Sequence, residues 1–334
     1  MRLRVAVTAA FALIAGAIAA AVLVDARTAR LQALLASIEE AEHRVPFAGV
    51  REIEAGGKTV AVRVWSAGDG RRRVEPVAGR PGLRGGLPNA LRPRIRPRVQ
   101  DFGLAVRNYE IVESGRAVVA GRPADLLEAR PRHEGRPLFR VAADVETRLP
   151  LRFEVIREEA VLFRAEFTSV DLAPSFEGVR FPAAAPPTPW LSVETRTVDP
   201  DRLSEAAGFP AWTPAWLPRG FERRGASVVD LRVKLPPEMR KALPVPDLES
   251  RAVHLEYTDG LAVVAVVEVS TATPLWRFVK RFLPPTSGAG VVAHRVAGPG
   301  GSAYVVDLGE TAVLVAGNAA PAELESVVRT LVRK

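Results

Sequence analysis

Apolar positions along the chain follow two rhythms, and each rhythm implies an element. Leu31, Leu34, Leu35 and Ile38 recur at spacings of three and four, one face of an amphipathic helix. Glu39, Glu40 and Glu42 lie near its end, on the side expected to face water. Val45-Pro46-Phe47 stops the helix, because the residue before a proline leaves the α region. From there the period shortens to two. Val60, Val62 and Val64 alternate with Ala61, Arg63 and Trp65 in a strand from Thr59 to Trp65, joined through Gly56-Gly57 to a strand at Val50 to Ile53. Further strands are expected at Asn108 to Glu113, Ala117 to Val119, Ala124 to Arg130, Phe139 to Asp144, Leu151 to Ile156 and Val161 to Val170. In the last, Val161, Phe163, Ala165 and Phe167 share one face while Arg164, Glu166 and Thr168 share the other. That alternation marks an antiparallel sheet with one buried side.

The rhythm breaks between Arg71 and Arg98. This stretch holds Arg71, Arg72, Arg73, Arg80, Arg84, Arg92, Arg94, Arg96 and Arg98 against a single acid, Glu75, among many prolines and glycines. It reads as a long mobile loop with a short helix near Leu87 to Leu91, too poor in apolar surface for a regular element. Two readings of its charge stand open: a solvated loop, or a partner-binding patch of Arg71, Arg72, Arg73, Arg92, Arg94, Arg96 and Arg98. Phe181 to Pro189 carries four prolines among alanines and reads as a stiff linker.

Beyond it, Phe209 to Phe221 brackets Trp212 and Trp216 with prolines, as expected of a rigid strap over a domain's own core. Strands at Ala252 to Tyr257 and Leu261 to Val269 meet at Thr258-Asp259-Gly260, a hairpin signal. A second hairpin joins Ala303 to Leu308 and Ala312 to Ala316. A closing helix starts at Pro321 and presents Leu324, Val327, Val328, Leu331 and Val332, with Arg329, Arg333 and Lys334 at the end where the dipole favours cations.

The start of the chain changes the picture. Arg2 and Arg4 precede a run from Val5 to Val24 without a single charge, the pattern of an export segment. Ala17-Ile18-Ala19 offers a cleavage site, yet the run is also long enough to span a bilayer. A cleaved signal and a retained inner-membrane anchor both place residues 25–334 outside the cytoplasm, in the periplasm. The 334 residues then divide into an export segment at 1–24, a first domain at 25–181, a linker at 182–198 and a second domain at 199–334. The net charge of +8 favours acidic partners. An exported chain does not meet DNA, so nucleic acid drops out.

Chemistry is sparse. The chain has no cysteine, which removes disulfides, thiolate metal sites and cysteine nucleophiles. His43, His133, His254 and His294 stand far apart, with no metal-ligand spacing among them. No G-x-S-x-G elbow occurs, and Gly298-Pro299-Gly300-Gly301-Ser302 lacks the lysine of a phosphate loop. Asp144 and Glu146 form a carboxylate pair, at what reads as an exposed strand end with nothing to desolvate it. No catalytic, metal or cofactor site is expected, and the chain is read as a binding protein rather than an enzyme.

Several segments go further. Asn108-Tyr109-Glu110, Val119-Ala120-Gly121-Arg122, and Arg140 through Asp144 with Thr147 and Leu149-Pro150-Leu151 resemble the N-terminal domain of the RseB/MucB family. Phe47-Ala48-Gly49 after the first helix resembles that family's strand start. Leu217-Pro218-Arg219-Gly220-Phe221 and Val253 to Leu261 are similar to its L-P-x-G-F and H-x-x-Y-S-D-G-L segments. The arginine-rich insert departs from the family pattern. The resemblance implies a mainly β (α+β) protein: a half-open antiparallel β-barrel, LolA-like, with helices on its concave side, followed by a smaller α+β domain. It further implies binding to the periplasmic part of a membrane-spanning anti-sigma factor, and sensing of lipid or lipopolysaccharide in an apolar hollow. Trp65, Phe139, Phe153, Phe163 and Phe167 are the candidate lining. A lipid or lipoprotein carrier of the LolA type is the competing function, with an unrecognised envelope enzyme as the third. The second domain favours the regulator, since simple carriers have only the barrel.

Overall fold

A computed structural model describes residues 29–77, 99–181, 191–234, 248–280, 293–298 and 301–334. The export segment and Arg80, Arg84, Arg92, Arg94, Arg96 and Arg98 therefore lie outside the described residues, as does the expected helix at Leu87 to Leu91.

The first helix, α1, covers residues 29–44. Eight strands follow: β1 (Pro46–Ala55), β2 (Lys58–Ala67), β3 (Arg72–Pro76), β4 (Tyr109–Val119), β5 (Arg122–Pro131), β6 (Leu138–Asp144), β7 (Pro150–Arg157) and β8 (Ala160–Asp171). They form one antiparallel sheet in the order β3-β2-β1-β8-β7-β6-β5-β4. The chain meanders from β4 to β8 and closes back on β1, while β3 and β4 remain as edges, so the sheet stays open. The period-two pattern sends Leu127, Val141, Phe153, Val155, Phe163 and Ala165 to one face, where Ile38, Leu34 and Leu35 of α1 cover them. This is the expected half-open arrangement with a helix on the apolar side.

Two expectations need correction here. Arg72 and Arg73 do not belong to a loop, because β3 pairs with β2 from Val62↔Pro76 to Ser66↔Arg72. Glu42 does not face water. It lies four residues beyond Ile38 on the same stripe and is 2 % exposed, held by Arg51 of β1 at 3.2 Å. The segment before β4 is also helical: α2 (Phe102–Asn108) is started by Asp101, whose carboxylate accepts from the Leu104 amide at 2.9 Å.

The second domain is a seven-stranded antiparallel sheet in the order β14-β15-β16-β13-β12-β11-β9. Its strands are β9 (Leu191–Thr197), β11 (Glu222–Val233), β12 (Leu248–Thr258), β13 (Val263–Ser270), β14 (Ala293–Gly298), β15 (Gly301–Asp307) and β16 (Thr311–Gly317). Residues 191–197, expected in the linker, pair with β11 as an edge strand. Helices α3 (Leu203–Ala207) and α5 (Pro321–Arg329) bury Leu203, Leu324, Val327 and Val328 against one face, and α4 (Pro274–Lys280) packs Trp276 against the other. The first half of the tryptophan strap lies over its own domain's core as expected, with Ala211 and Phe221 buried and Trp212 packed beside them, whereas Trp216 is exposed. Its strand β10 (Trp212–Pro214) pairs with β17 (Leu331–Arg333). That pairing ends α5 at Arg329, so Leu331 and Val332 leave the helix face to which the spacing assigned them.

Candidate functional site at the domain junction

The two domains meet through the hairpin tip Asp259-Gly260-Leu261, between β12 and β13. The tip organises itself. The Asp259 Oδ1 atom accepts from the Leu261 amide at 3.1 Å and the Ala262 amide at 2.7 Å. Thr258 Oγ1 accepts from the Gly260 amide at 2.9 Å and donates to the Ala262 carbonyl at 2.7 Å. The other carboxylate oxygen, Oδ2, faces the first domain. There it accepts from the Tyr109 hydroxyl at 2.9 Å and lies 3.3 Å from Arg136 Nε.

Asn108 spans the junction. Its amide nitrogen donates to the Asp259 carbonyl at 2.9 Å and the Gly220 carbonyl at 3.0 Å. Both hydrogens are thereby used, so Oδ1 is an acceptor, and His133 Nε2 at 3.1 Å must carry the proton. Arg136, with a side chain 1 % exposed, pairs with Glu323 of α5, donates to the Arg219 carbonyl at 2.8 Å, and stacks 4.5 Å above the Phe221 ring. The Gly260 carbonyl accepts from the amides of Gln100 at 2.8 Å and Asp101 at 3.2 Å. Leu261 is seated against the first-domain cluster of Leu31, Tyr109, Ile111 and Ala129, on which Leu35, Phe102, Val106 and Phe139 also pack.

Burial pushes the Asp259 carboxyl above its usual range, against the hydrogen bonds from Ala262, Tyr109 and Leu261 and the charge of Arg136. Burial, then the charge of Asp259, raises the Tyr109 hydroxyl as well. His133 is lowered by burial and by the cations Arg219 and Arg136. The arrangement joins the two domains through buried side chains. Among the described residues, no group of three His, Asp or Glu could hold a metal ion.

The segments that carried the family resemblance thus meet in space. Asn108-Tyr109, Arg219-Gly220-Phe221 and Asp259-Gly260-Leu261 build the junction together. The spacing of each gave only a strand start, a strap and a turn, and nothing within one segment signals the other two. Arg122 and Asp144 assemble likewise. Asp144 is fully buried, which corrects its reading as a residue of an exposed strand end. Burial pushes its carboxyl up, but Arg122 at 2.6 Å and Thr147 outweigh this and hold it below the usual range. It is a turn anchor, since Glu146 N, Thr147 N and Thr147 Oγ1 all donate to its Oδ1.

The candidate lining residues divide. Phe139, Phe153 and Phe163 form a row with Tyr109 beneath α1, with successive ring centroids 5.8, 6.4 and 6.0 Å apart. Phe167 packs edge-on against Phe47 at 5.5 Å, in a separate cluster with Val64 and Leu151. Trp65 alternates with Val64 to the other face, where Arg63 and Arg73 lie 5.9 and 5.5 Å from its ring. The described arginines of the basic stretch are engaged within the molecule. Arg71 pairs with Asp69 at 2.8 Å, Arg72 reaches Glu42, and Arg73 bonds Glu75 and the Arg180 carbonyl. A cavity of about 510 Å³ opens on the polar face of the sheet between Arg136, Arg140, Glu154 and Arg164. Arg140 and Arg164 are both bridged there by Glu154, at 3.3 and 2.9 Å.

Residues 77–185 match the family of the MucB/RseB N-terminal domain. The chain is 31% identical over 182 residues to the sigma-E factor regulatory protein RseB of Escherichia coli, covering 52% of this chain and 48% of that protein. It is 30% identical over 161 residues to the sigma factor AlgU regulatory protein MucB of Pseudomonas aeruginosa, covering 47% and 43%. The matched stretch therefore spans about half the length of these curated relatives. Among solved structures, MucB in complex with MucA(peri) is similar with a TM-score of 0.55 at 22% identity, over 91% of this chain and 98% of that one. The Pseudomonas aeruginosa MucA/MucB complex is similar with a TM-score of 0.55 at 23% identity, over 90% and 98%. At that identity the likeness shows the fold, and it extends over both domains.

Proposed function

We propose that this chain is a member of the MucB/RseB family and a periplasmic regulator of an envelope-stress sigma factor, a reading supported by the match of residues 77–185 to the MucB/RseB N-terminal domain and by the likeness to RseB. It acts by holding the exported segment of a membrane-spanning anti-sigma factor. The observation that carries this reading is the likeness over both domains to MucB bound to MucA(peri). The named relatives are regulatory proteins, which supports binding rather than catalysis as the activity. The junction fits a binder, because it joins two open sheets whose edge strands among the described residues are β3, β4, β9 and β14.

The test is recovery of the chain from the periplasmic fraction together with the periplasmic segment of a one-span anti-sigma factor. With Arg92, Arg94, Arg96 and Arg98 changed to Ser, the melting temperature should stay within a degree or two. Binding to an acidic segment should weaken, and its salt dependence should flatten, because exposed contacts are screened once the Debye length falls to ~3 Å at 1 M salt. No binding at any ionic strength would sink the proposal. Unchanged binding in the Ser variant would assign those arginines to solvation alone.

The row from Tyr109 to Phe163 supports a second reading, in which the first domain also takes up an acyl chain beneath α1. A fluorescent alkyl probe should then bind, and Phe153→Trp should quench or shift its emission. A probe that stays free at micromolar protein would leave the row as packed core.

A further inference from the structure

The junction differs in kind from the two cores that it joins. Each core is built of aliphatic and aromatic side chains, whereas the junction adds buried charges and amides to the apolar contacts of Leu261 and of Phe139, which packs against the second-domain core. Arg136 sits between Asp259 and Glu323, Asn108 and Tyr109 bond Asp259, and the contacts Arg107–Glu222, Arg157–Asn318 and Arg224–Gln100 cross the junction at its margins. Opening such an interface returns its charges to water, which offsets much of what their pairing contributes when closed. Neither side needs the other to keep its local shape. The Asp259 turn is held by Leu261 N, Ala262 N and Thr258 Oγ1, all within the hairpin, and α2 is capped by its own Asp101. The fit is nevertheless strict. Gly260 has φ +107°, and a Cβ there would overlap the backbone of Ala105.

We infer that the tip Asp259-Gly260-Leu261 is a latch. The protein has an open state in which the tip is withdrawn and the two domains, each still folded, swing apart. This state lies far closer in free energy to the closed one than unfolding does. Opening removes Leu261 from its seat and uncovers the Tyr109–Phe139 end of the aromatic row. The latch does not depend on which partner the protein binds, so it stands or falls apart from the proposed function.

Native-state hydrogen exchange on the full chain reads it directly, because the amides of Gln100 and Asp101 donate to the Gly260 carbonyl across the junction. These two should exchange together, at least about 100-fold faster than the β6–β7 and β13–β16 ladders. Their exchange should rise with urea, as expected of surface exposed by domain separation and not of a fraying end. Tyr109→Phe, which removes one hydrogen bond to a carboxylate, should raise their exchange about tenfold. Gly260→Ala should raise it further and lengthen the particle in small-angle scattering, with both ladders still protected. Exchange of Gln100 and Asp101 only at the ladder rate would make the molecule one cooperative unit and overturn the latch. So would variants that loosen both ladders together, or a Gly260→Ala protein with unchanged exchange and scattering. If Gly260→Ala does not fold, Tyr109→Phe decides: a change confined to residues 100 and 101 supports the latch, and no change or a spread one overturns it.

Discussion

Changing Arg51 to alanine should destabilise the first domain by about 3–5 kcal/mol, the range found when one partner of a buried ion pair is removed. Glu42 and Arg51 are 3.2 Å apart with side chains 2 % and 8 % exposed, and the Arg51 guanidinium lies 4.2 Å from the centre of the Phe167 ring. Burial pulls the guanidinium below its ordinary value, and Glu42 is the main force holding it charged. Without Arg51, the Glu42 carboxylate stays inside the fold with the Arg72 cation 3.5 Å away. That residual contact puts the expected loss toward the lower end. A Glu42→Leu, Arg51→Met double variant should recover most of it, since an apolar pair of similar volume is often as stable. Urea unfolding of the three variants measures this. A single variant that costs less than about 1 kcal/mol would show Arg72 replacing Arg51 outright.

The same pair shows where sequence reading succeeds and where it stops. The stripe of Leu31, Leu34, Leu35 and Ile38 was legible because one periodicity controls one face. Glu42 continues that stripe, but a charge at its end reads as solvated unless the cation opposite is known. Arg51 lies across a helix-to-strand turn, on a position that strand alternation alone does not orient toward α1. The strands from β4 to β8 were legible for the same local reason, although β4 was read as two short strands because its bulge near Gly115 interrupts the alternation. Arg72 and Arg73 were assigned to a loop by the composition of their neighbours, yet pairing with β2 overrides composition at a sheet edge. The junction was illegible in a different way. Asn108, Arg136, Asp259 and Glu323 are far apart along the chain, and only the fold brings their polar groups into one place.

Glu268→Gln should stabilise the second domain, by an amount that grows with pH. Glu268 on β13 is fully buried beneath the tryptophan strap. One carboxyl oxygen accepts from the Trp212 amide at 2.8 Å, and the other has no hydrogen-bond partner among the described residues. Burial pushes its pKa up to about 8, and only the Trp212 amide pulls the other way. Below about 4.5, its ordinary value, folded and unfolded chains both hold the proton. As pH rises from about 4.5 to about 8, the unfolded chain releases that proton while the folded one keeps it. The folded state then binds more protons than the unfolded, so stability falls with pH. Above about 8 the loss is complete and levels off. Glutamine fills the same space without a titrating proton, so its variant lacks this slope. The two proteins should unfold at similar urea concentrations near pH 4.5. By pH 8 they should differ by a few kcal/mol in favour of glutamine, since each tenfold gain in the carboxylate's proton affinity on folding is worth about 1.4 kcal/mol. All other titrating groups are common to both chains and cancel in the difference. Stability curves that run parallel from pH 4.5 to 8 would mean that Glu268 is already ionised in the fold, with a counter-charge reaching it.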